Sequence, residues 1–253
     1  MDAAGRRRGM LELVRRTGSV DVVRLAEEFG VSKETVRRDL NVLEDQGLVR
    51  RTHGGVYPVE SAGFETTLAF RATQQVPEKS RIAAAAADLL GDAETVFVDE
   101  GFTPQLIAEA LPHDRQLTVV TASLAVVSAL APRPKTAVLL LGGRVRNGTM
   151  ATVDHWAVRM LSDFVIDLAY IGANGISRAY GLTTPDPVVG AVKEQAMRSS
   201  RRHVFAGVHT KFGTTSFCRF ADVTDLEAIV TGSGLSAAEA HRYQLMGPRV
   251  IRV

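Results

Sequence analysis

The most informative stretch of this chain runs Ser32-Lys33-Glu34-Thr35-Val36-Arg37-Arg38-Asp39-Leu40-Asn41-Val42-Leu43. Its aliphatic residues Val36, Leu40 and Leu43 are spaced i, i+4 and i+7, which predicts a helix with one buried face. At about 100° per residue, the opposite face carries Glu34, Arg38 and Asn41, with Thr35 and Arg37 on its flanks. Ser32 precedes the first turn, where its hydroxyl can cap a backbone N–H. The stretch therefore predicts a capped helix with a basic, amide-rich outer face.

Two shorter helical segments precede it. Residues 6–17 predict a first helix that ends at Gly18, and Asp21 is placed to cap a second helix that ends at Gly30. The short turn between Gly30 and Lys33 gives the spacing of a helix-turn-helix, in which the first helix of the pair supports the second in a DNA groove.

A predicted hairpin follows the three helices. Residues 48–57 favour two short strands joined at the glycine pair Gly54-Gly55, with basic side chains near the tip. Helices and hairpin together predict a winged helix that binds DNA, whereas an amphipathic helix with two arginines, taken alone, is typical of an ordinary solvated surface. Arg37 and Arg38 are the strongest candidates for DNA contacts, and the full predicted set is Ser32, Lys33, Thr35, Arg37, Arg38, Asn41, Arg50, Arg51 and His53.

Composition limits the remaining possibilities. The 253 residues are 45% hydrophobic and carry a formal net charge of +2, so the chain can bury a sizeable core and any nucleic-acid signal must be local. One cysteine excludes an intrachain disulfide. The sequence has no apolar run long enough for a membrane helix, and no apolar segment follows the arginines near the N-terminus as a secretory signal requires. We expect a cytoplasmic protein.

The rest of the chain has the pattern of an α/β domain. We predict a winged helix-turn-helix domain over residues 1–57, a linker over 58–77 and an α/β effector-sensing domain with a largely parallel sheet over 78–253. Predicted strands cover residues 95–99, 117–121, 136–141, 168–171, 203–208 and 226–231. Predicted helices cover residues 81–90, 104–111, 124–130, 156–161 and 188–199.

Glycine, hydroxyl and basic residues gather just after several predicted strands. In parallel α/β sheets ligands bind at the carboxyl ends of the strands, where such residues can cradle a phosphate. The alternative is that strand-end Gly, Ser and Thr only form turns and caps, as most do. The pattern favours a sugar-phosphate pocket that includes Asp99, Gly101, Thr103, Thr121, Ser123, Gly142, Gly143, Arg144, Gly172, Asn174 and Lys211.

A longer motif supports both domains. Residues 31–40, then Leu43-Glu44, Gly47-Leu48 and Arg51-Thr52-His53-Gly54-Gly55, closely resemble the N-terminal signature of the DeoR family of bacterial transcriptional regulators. The resemblance continues over nearly the whole chain. It implies a winged helix joined to an effector domain similar to ribose-5-phosphate isomerase.

The resemblance also implies a ligand site, although this sequence differs from the family's pattern at several of its positions. The chain keeps most of the family's pocket residues, and the resemblance adds Lys193 to a predicted set that already includes Asp99 after the first sensor strand. However, Glu100 and Phe102 stand where the family has serine and threonine, Ala122 replaces asparagine, and His209-Thr210 precede Lys211. A carboxylate in a phosphate cradle repels the ligand unless Glu100 points away or pairs with a cation such as Arg144. The effector could therefore be unusual, uncharged at that end, or absent.

Catalysis is not expected. The related isomerases carry aspartates where this chain has Ile171 and Asn174, neither of which can act as a general base. No nucleotide, protease, hydrolase or metal motif is present, and we predict no catalytic residue, metal or cofactor. Trp156, the only tryptophan, is expected in the core.

Three functional hypotheses follow. The first is a DNA-binding repressor of sugar metabolism genes that acts as a homo-oligomer and responds to a small phosphorylated sugar. The second is a phosphosugar isomerase or deaminase with an appended DNA-binding domain. The third is a nonspecific, architectural DNA binder with a vestigial sensor.

Overall fold

A computed structural model describes residues 2–45, 48–52, 55–58 and 67–253. The chain divides into two compact units. The first comprises Met1–Ser61 and Ala69–Arg71, and the second comprises Ala62–Leu68 and Ala72–Val253.

The first unit is a three-helix domain with a hairpin. Its elements are α1 (Ala3–Thr17), α2 (Val22–Phe29), α3 (Lys33–Asp45), β1 (Val49–Thr52) and β2 (Gly55–Pro58). Helix α1 begins at Ala3, earlier than predicted, because the Asp2 carboxylate accepts the Gly5 N–H at 2.8 Å. Helices α1 and α2 end at Gly18 (φ 78°) and Gly30 (φ 61°), as predicted, since glycine tolerates the left-handed conformation. One apolar cluster joins all three helices to the hairpin.

The second unit alternates strands and helices. A four-residue helix, α4 (Leu68–Arg71), crosses the division between the units. The helices that follow are α5 (Val76–Ala87), α6 (Phe102–Ala110), α7 (Leu124–Leu130), α8 (His155–Ser162), α9 (Pro187–Arg198) and α10 (Ala237–Gln244). The strands are β3 (Thr95–Val98), β4 (Leu117–Thr121), β5 (Thr136–Leu140), β6 (Arg144–Arg146), β7 (Ala151–Val153), β8 (Ile166–Ile171), β9 (Gly175–Ser177), β10 (Gly181–Thr184), β11 (Ser200–Ala206), β12 (Cys218–Ala221), β13 (Ala228–Thr231) and β14 (Arg249–Arg252).

Seven of these strands form one parallel sheet in the order β14-β13-β11-β8-β3-β4-β5. Side chains alternate across β3: Val96 and Val98 enter one apolar cluster with α5, α6 and α7, whereas Phe97 enters a second cluster with α8, α9 and α10. Helices therefore cover both faces, which is the arrangement a parallel sheet requires. The predicted α/β class with a parallel sheet is confirmed.

Several smaller elements were not predicted. The sequence pattern missed the edge strand β14, helix α10, the β6–β7 hairpin and the antiparallel β12-β10-β9 sheet. Helix α5 begins at Val76, inside the range predicted as linker, and Leu68–Arg71 are also helical there. Over the described ranges, no helix is both long and apolar enough to cross a membrane.

Candidate nucleic-acid interface and sensor site

Helix α3 presents its arginines outward. Val36 and Leu40 are fully buried and Leu43 is 3% exposed, as predicted from their spacing. On the other side, the side chains of Arg37 and Arg38 are 59% and 79% exposed. Because the aliphatic residues fix the helix against its own domain, both guanidinium groups face solvent.

Residues at the start of α3 cap the helix and form ion pairs with its exposed arginines. The Ser32 hydroxyl accepts the Thr35 N–H at 3.1 Å, which is the predicted cap, and lies 3.0 Å from the Thr35 hydroxyl. The Glu34 carboxylate lies 3.6 Å from Arg37 Nη1 and 3.9 Å from Arg38 Nε. Exposed ion pairs of this kind are weak, so a phosphate or base edge can displace Glu34.

A buried ion pair behind α3 was not predicted. Asp39 is 6% exposed, and its carboxylate accepts a hydrogen bond from Arg6 Nε of α1 at 2.7 Å. Arg7 lies 3.8 Å away on the other oxygen. Asp39 is spaced i+3 from Val36 and i−4 from Leu43, at the edge of the buried stripe, and this spacing was the sequence signal for its burial.

The hairpin contacts α3 through Arg51. Its Nε and its backbone N–H donate to the two oxygens of Glu44, at 2.7 and 3.0 Å. The predicted Gly54-Gly55 turn needs correction, since Gly55 pairs with Thr52 within the antiparallel ladder and belongs to β2. The predictions for His53, Gly54 and the Arg50 side chain lie outside the part of the chain that the structure describes. Lys33 and Asn41 are exposed on α3.

In the second unit, the loop after β3 is held by a buried lysine. Asp99 and Lys193 are 2% and 3% exposed, and Lys193 Nζ donates to Asp99 Oδ2 and, at 3.2 Å, to the Gly172 carbonyl. The Gly172 N–H donates to the same Asp99 oxygen at 2.8 Å. Three predicted residues, distant in sequence, therefore meet at one point, where their polar groups hold two loops together.

Thr121 and Ser123 also serve the local architecture. Both are fully buried. The Thr121 hydroxyl donates to the Val98 carbonyl at 2.7 Å and accepts the Ser123 N–H at 3.0 Å, while the Ser123 hydroxyl caps α7 by accepting the Val126 N–H at 3.3 Å. The geometry at these two positions is that of turns and caps.

The loop between Asp99 and α6 has an unusual composition. Gly101 has φ 115°, and Phe102 begins α6 with its ring 5.8 Å from Lys79 Nζ of α5. Glu100 and Thr103 are 8% and 6% exposed. Of the two alternatives given for Glu100, pointing away or pairing with a cation such as Arg144, the structure does not show the Arg144 pair, because Arg144 pairs with Asp154 at 3.2 Å.

Two other predicted residues contact, or belong to, the loop that begins at Gly172. Lys211 Nζ donates to the Ala173 carbonyl at 2.5 Å. The Asn174 side-chain oxygen accepts from the Thr184 hydroxyl at 3.3 Å. Burial raises the pKa of the Tyr170 phenol, which stays neutral in the core.

The predicted ligand-binding residues Gly142, Gly143 and Arg144 lie away from the Asp99–Lys193 pair, at a separate cleft. An open cleft beyond β5 is lined by Gly142, Gly143, Arg144, Asp154, His155, Trp156 and Met160. Asp99, Thr121 and Lys193 are not among its lining residues. Trp156 is 60% exposed, so the expectation that it lies in the core was wrong. Its neighbours Ala157 and Leu161 fill the core positions of α8 instead.

The chain was compared with known proteins. A family model described as the DeoR-like helix-turn-helix domain matches residues 6–62, and one described as the DeoR C terminal sensor domain matches residues 74–233. The HTH-type transcriptional regulator GlpR of Haloferax volcanii is 33% identical over 98% of this chain and 97% of its own length. The glycerol-3-phosphate regulon repressor of Escherichia coli is 31% identical over 91% of each chain.

Among solved structures, the full-length sorbitol operon regulator SorC from Klebsiella pneumoniae is 13% identical over 97% of this chain and 99% of that one, with a TM-score of 0.40. The two domain matches account for most of the chain, and relatives that match over nearly their whole length are named as transcriptional regulators. The chain therefore belongs to the DeoR family and is a DNA-binding transcriptional regulator with a C-terminal sensor domain.

Proposed function

We propose that this regulator is a repressor that binds a specific operator with the outer face of α3. The observation that carries the proposal is the exposure of Arg37 and Arg38 opposite a fully buried aliphatic stripe. A helix fixed in this way can enter a major groove and read base edges with its arginines. In the proposal, residues 1–57 bind DNA in the cytoplasm, 58–77 link the domains and 78–253 sense the effector.

The proposed effector is a small phosphorylated sugar. Support comes from the sensor-domain match and from the name of the E. coli relative, the glycerol-3-phosphate regulon repressor. The effector must bind the DNA-competent and DNA-free arrangements of the protein with different affinities. Equal affinities would leave the equilibrium between the two arrangements unchanged.

We also propose that the sensor domain is not an enzyme. Ile171 is fully buried and has no ionisable group, and the amide of Asn174 is not a base. Incubation of the protein with ribose 5-phosphate and with glucosamine 6-phosphate tests this directly. We expect no product, and turnover of either compound would support the isomerase or deaminase hypothesis instead.

Self-association is part of the proposal. One recognition helix reads few base pairs, and winged-helix proteins gain affinity by pairing half-sites. Light scattering after size-exclusion chromatography measures the mass of the free protein, and a monomer that binds a single half-site at full affinity would contradict this part.

The main test is specificity for DNA. Bound duplexes are selected from a random library, and binding to the selected and to random sequences is compared by fluorescence anisotropy at fixed salt. We expect the selected duplex to bind at least about a thousandfold more tightly. Equal affinities would favour the architectural, nonspecific binder.

A further inference from the structure

Among the described strands, one edge of the parallel sheet is open to pairing. Strand β5 is the last strand on its side, and β14 is the last on the other. The β14 edge carries an exposed arginine at each end, Arg249 and Arg252, and charged side chains of this kind discourage pairing with another chain. Strand β5 reads Thr-Ala-Val-Leu-Leu, without a charged residue or a proline. It therefore lacks the protection that the opposite edge has.

The hydrogen bonds of β5 show which of its backbone groups face outward. The Leu141 N–H donates to the Thr121 carbonyl at 2.9 Å, and the Lys135 carbonyl accepts from the Leu117 N–H at 3.1 Å. Odd-numbered positions of this segment therefore direct their backbone groups toward β4, because these groups alternate sides along a strand. The N–H and C=O groups of Val138, in the middle of β5, consequently point away from the sheet.

One face of β5 is also uncovered. Val138 packs against the apolar cluster formed with α5, α6 and α7, whereas Ala137 and Leu139 on the opposite face are exposed, Leu139 to 42%. A parallel sheet normally has both faces buried, as the central strands have here. The face that carries Ala137 and Leu139 therefore lacks a covering layer in the part of the chain that the structure describes.

Other exposed apolar side chains gather beside this edge. Thr152 Oγ1 of β7 donates to the Leu141 carbonyl at 2.7 Å, which holds the β6–β7 hairpin against the end of β5. The cleft that Arg144 lines also includes the start of α8. Five of the ten large hydrophobic side chains that are exposed in the described ranges lie in this region, namely Leu139, Leu140, Val145, Met150 and Trp156.

The size of this patch fits a contact between two proteins. Five side chains with exposed fractions of 37% to 60% present on the order of 400 Å² of apolar surface, the size at which a patch marks an interaction site. A stable dimer buries about 800 Å² on each partner, and somewhat more than half of that area is apolar. The patch therefore supplies most of the apolar area that one half of a dimer needs.

The charges beside the patch are complementary to themselves. Arg144 Nε lies 3.2 Å from Asp154, and the two side chains are 64% and 37% exposed. In a twofold contact the same surface of two copies meets, so each copy must present partners for its own groups. A cation and an anion side by side meet this condition, because each can pair with its opposite on a second copy.

We propose that β5 pairs antiparallel with β5 of a second copy, so that the two sheets become one continuous sheet across a twofold axis beside Val138. The outward N–H and C=O groups of Val138 bond to those of the partner's Val138. On the uncovered face, Leu139 lies opposite the partner's Ala137, which places a large side chain beside a small one. The inference rests on the proposed function, since it gives the proposed self-association its surface.

A lysine in place of Leu139 tests this surface. The mass of the full-length protein is measured by analytical ultracentrifugation over a range of concentrations. We expect Leu139→Lys to raise the dissociation constant between copies at least about tenfold, because pairing of β5 would strip water from the new charge. Leu245→Lys, the same change at a leucine that is 73% exposed beyond α10, is the matched control and should associate like the wild type.

A cross-link tests the register and does not depend on the folding of Leu139→Lys. The twofold axis places the two Cα atoms of position 138 about 5.5 Å apart, a distance that a disulfide spans. Cys218 is the only cysteine, so a Cys218→Ser background leaves one engineered thiol in each copy. Mild oxidation should convert Val138→Cys in this background into a covalent dimer, whereas Leu245→Cys should remain uncoupled.

The other outcomes count against this interface. Wild-type association that persists in a folded Leu139→Lys, or an associated Val138→Cys that forms no covalent dimer, would overturn the pairing of β5 and leave self-association in place. If Leu139→Lys does not fold, the cross-link decides. A wild type that stays monomeric at every concentration would overturn both the pairing and the proposed self-association. Selection of bound duplexes tests DNA specificity separately, so that part of the proposed function stands or fails on its own.

Discussion

Asp39 shows how one buried charge can orient a recognition surface. It lies on the inner stripe of α3 and binds Arg6 of α1, while the next residue toward the N-terminus, Arg38, points into solvent. The pair is 9% and 16% exposed at the side-chain level, so it is screened less than a surface ion pair. Asp39 thus fixes the rotation of the helix that carries the arginines.

Removing Asp39 should destabilise the first unit. Asp39→Ala leaves the Arg6 guanidinium without its closest acceptor, and we expect a loss of about 1–3 kcal/mol in the free energy of unfolding. Thermal or urea unfolding of Asp39→Ala, Arg6→Ala and the double variant measures the coupling. If the two single losses simply add in the double variant, the pair does not stabilise the domain.

Arg38 should contribute to DNA recognition rather than to folding. If it reads a base edge, Arg38→Ala weakens operator binding by about 1–3 kcal/mol and leaves the melting temperature unchanged. Arg24→Ala, another exposed arginine of the same unit, controls for general loss of positive charge. Equal weakening on operator and random duplex would identify Arg38 as a phosphate contact.

At the scale of elements, a single carboxylate joins the central strand β8 to its neighbour β3. The same Asp167 oxygen, at the start of β8, accepts the Thr95 hydroxyl at 2.8 Å and the backbone N–H groups of Thr95 and Glu94 at 3.0 and 3.1 Å. The Thr95 hydroxyl contributes most to lowering the pKa of Asp167, with further help from the backbone N–H groups and Arg201. The ionised form is therefore the one that the folded state favours.

This pairing predicts a pH dependence of stability. Because the folded pKa of Asp167 lies below its unfolded value, the stabilisation is fully present above the unfolded pKa, about 4, and is lost as the pH falls through the folded pKa. Asp167→Asn should lower the free energy of unfolding at pH 7, and its deficit should shrink as the pH falls below about 4. Urea unfolding from pH 7 to pH 3 measures this, and a constant deficit would rule it out.

Elements with a strong periodic pattern were predictable, and those stabilised by distant contacts were not. The predicted bounds of β4 and α7 match the observed ones, because the aliphatic residues of these two elements themselves fill the core. Strand β14 was missed because arginines stand at both of its ends, and it is defined by pairing with β13. The Asp99–Lys193 contact joins residues 94 positions apart, a pairing that no local pattern contains.

Trp156 illustrates how far the position of a site residue can be predicted from the sequence. A tryptophan is more often buried than exposed, so composition favours the core, whereas the structure places Ala157 and Leu161 inward on α8 and turns Trp156 out. The phosphate-cradle prediction was equally ambiguous, since the same Thr and Ser can cap a helix or bind an anion. The observed hydrogen bonds show the turn and the helix cap at Thr121 and Ser123, and anion binding there stays a prediction.

At the scale of the whole molecule, regulation requires that the sensor domain transmit its state along the chain. Helix α5 is the first long helix of the second unit, and Glu78 near its start accepts hydrogen bonds from the backbone N–H and the Nδ1 of His209, both at 2.9 Å. Two residues later, Lys211 contacts the Ala173 carbonyl in the loop beside the Asp99–Lys193 pair. A continuous set of contacts thus joins α5 to the sensor loops.

Loosening this contact should reduce communication without abolishing ligand binding. We expect Glu78→Ala to bring the operator affinities measured with and without sugar phosphate closer together, while the calorimetric affinity for the sugar changes little. Gln75→Ala, which removes the weaker 3.3 Å contact to the same carboxylate, is the milder control. An unchanged ratio of operator affinities in Glu78→Ala would exclude this route.

The strand order also bears on how the chain is made. Strands β3, β4 and β5 are sequential neighbours, so this half of the sheet can pair as soon as residue 140 leaves the ribosome. The other side of β3 must wait for β8, which ends at Ile171. During that interval the nascent sheet exposes the unpaired backbone edge of β3, whose Val96, Phe97 and Val98 are apolar, and a stall in translation there leaves this edge open to pairing with other chains.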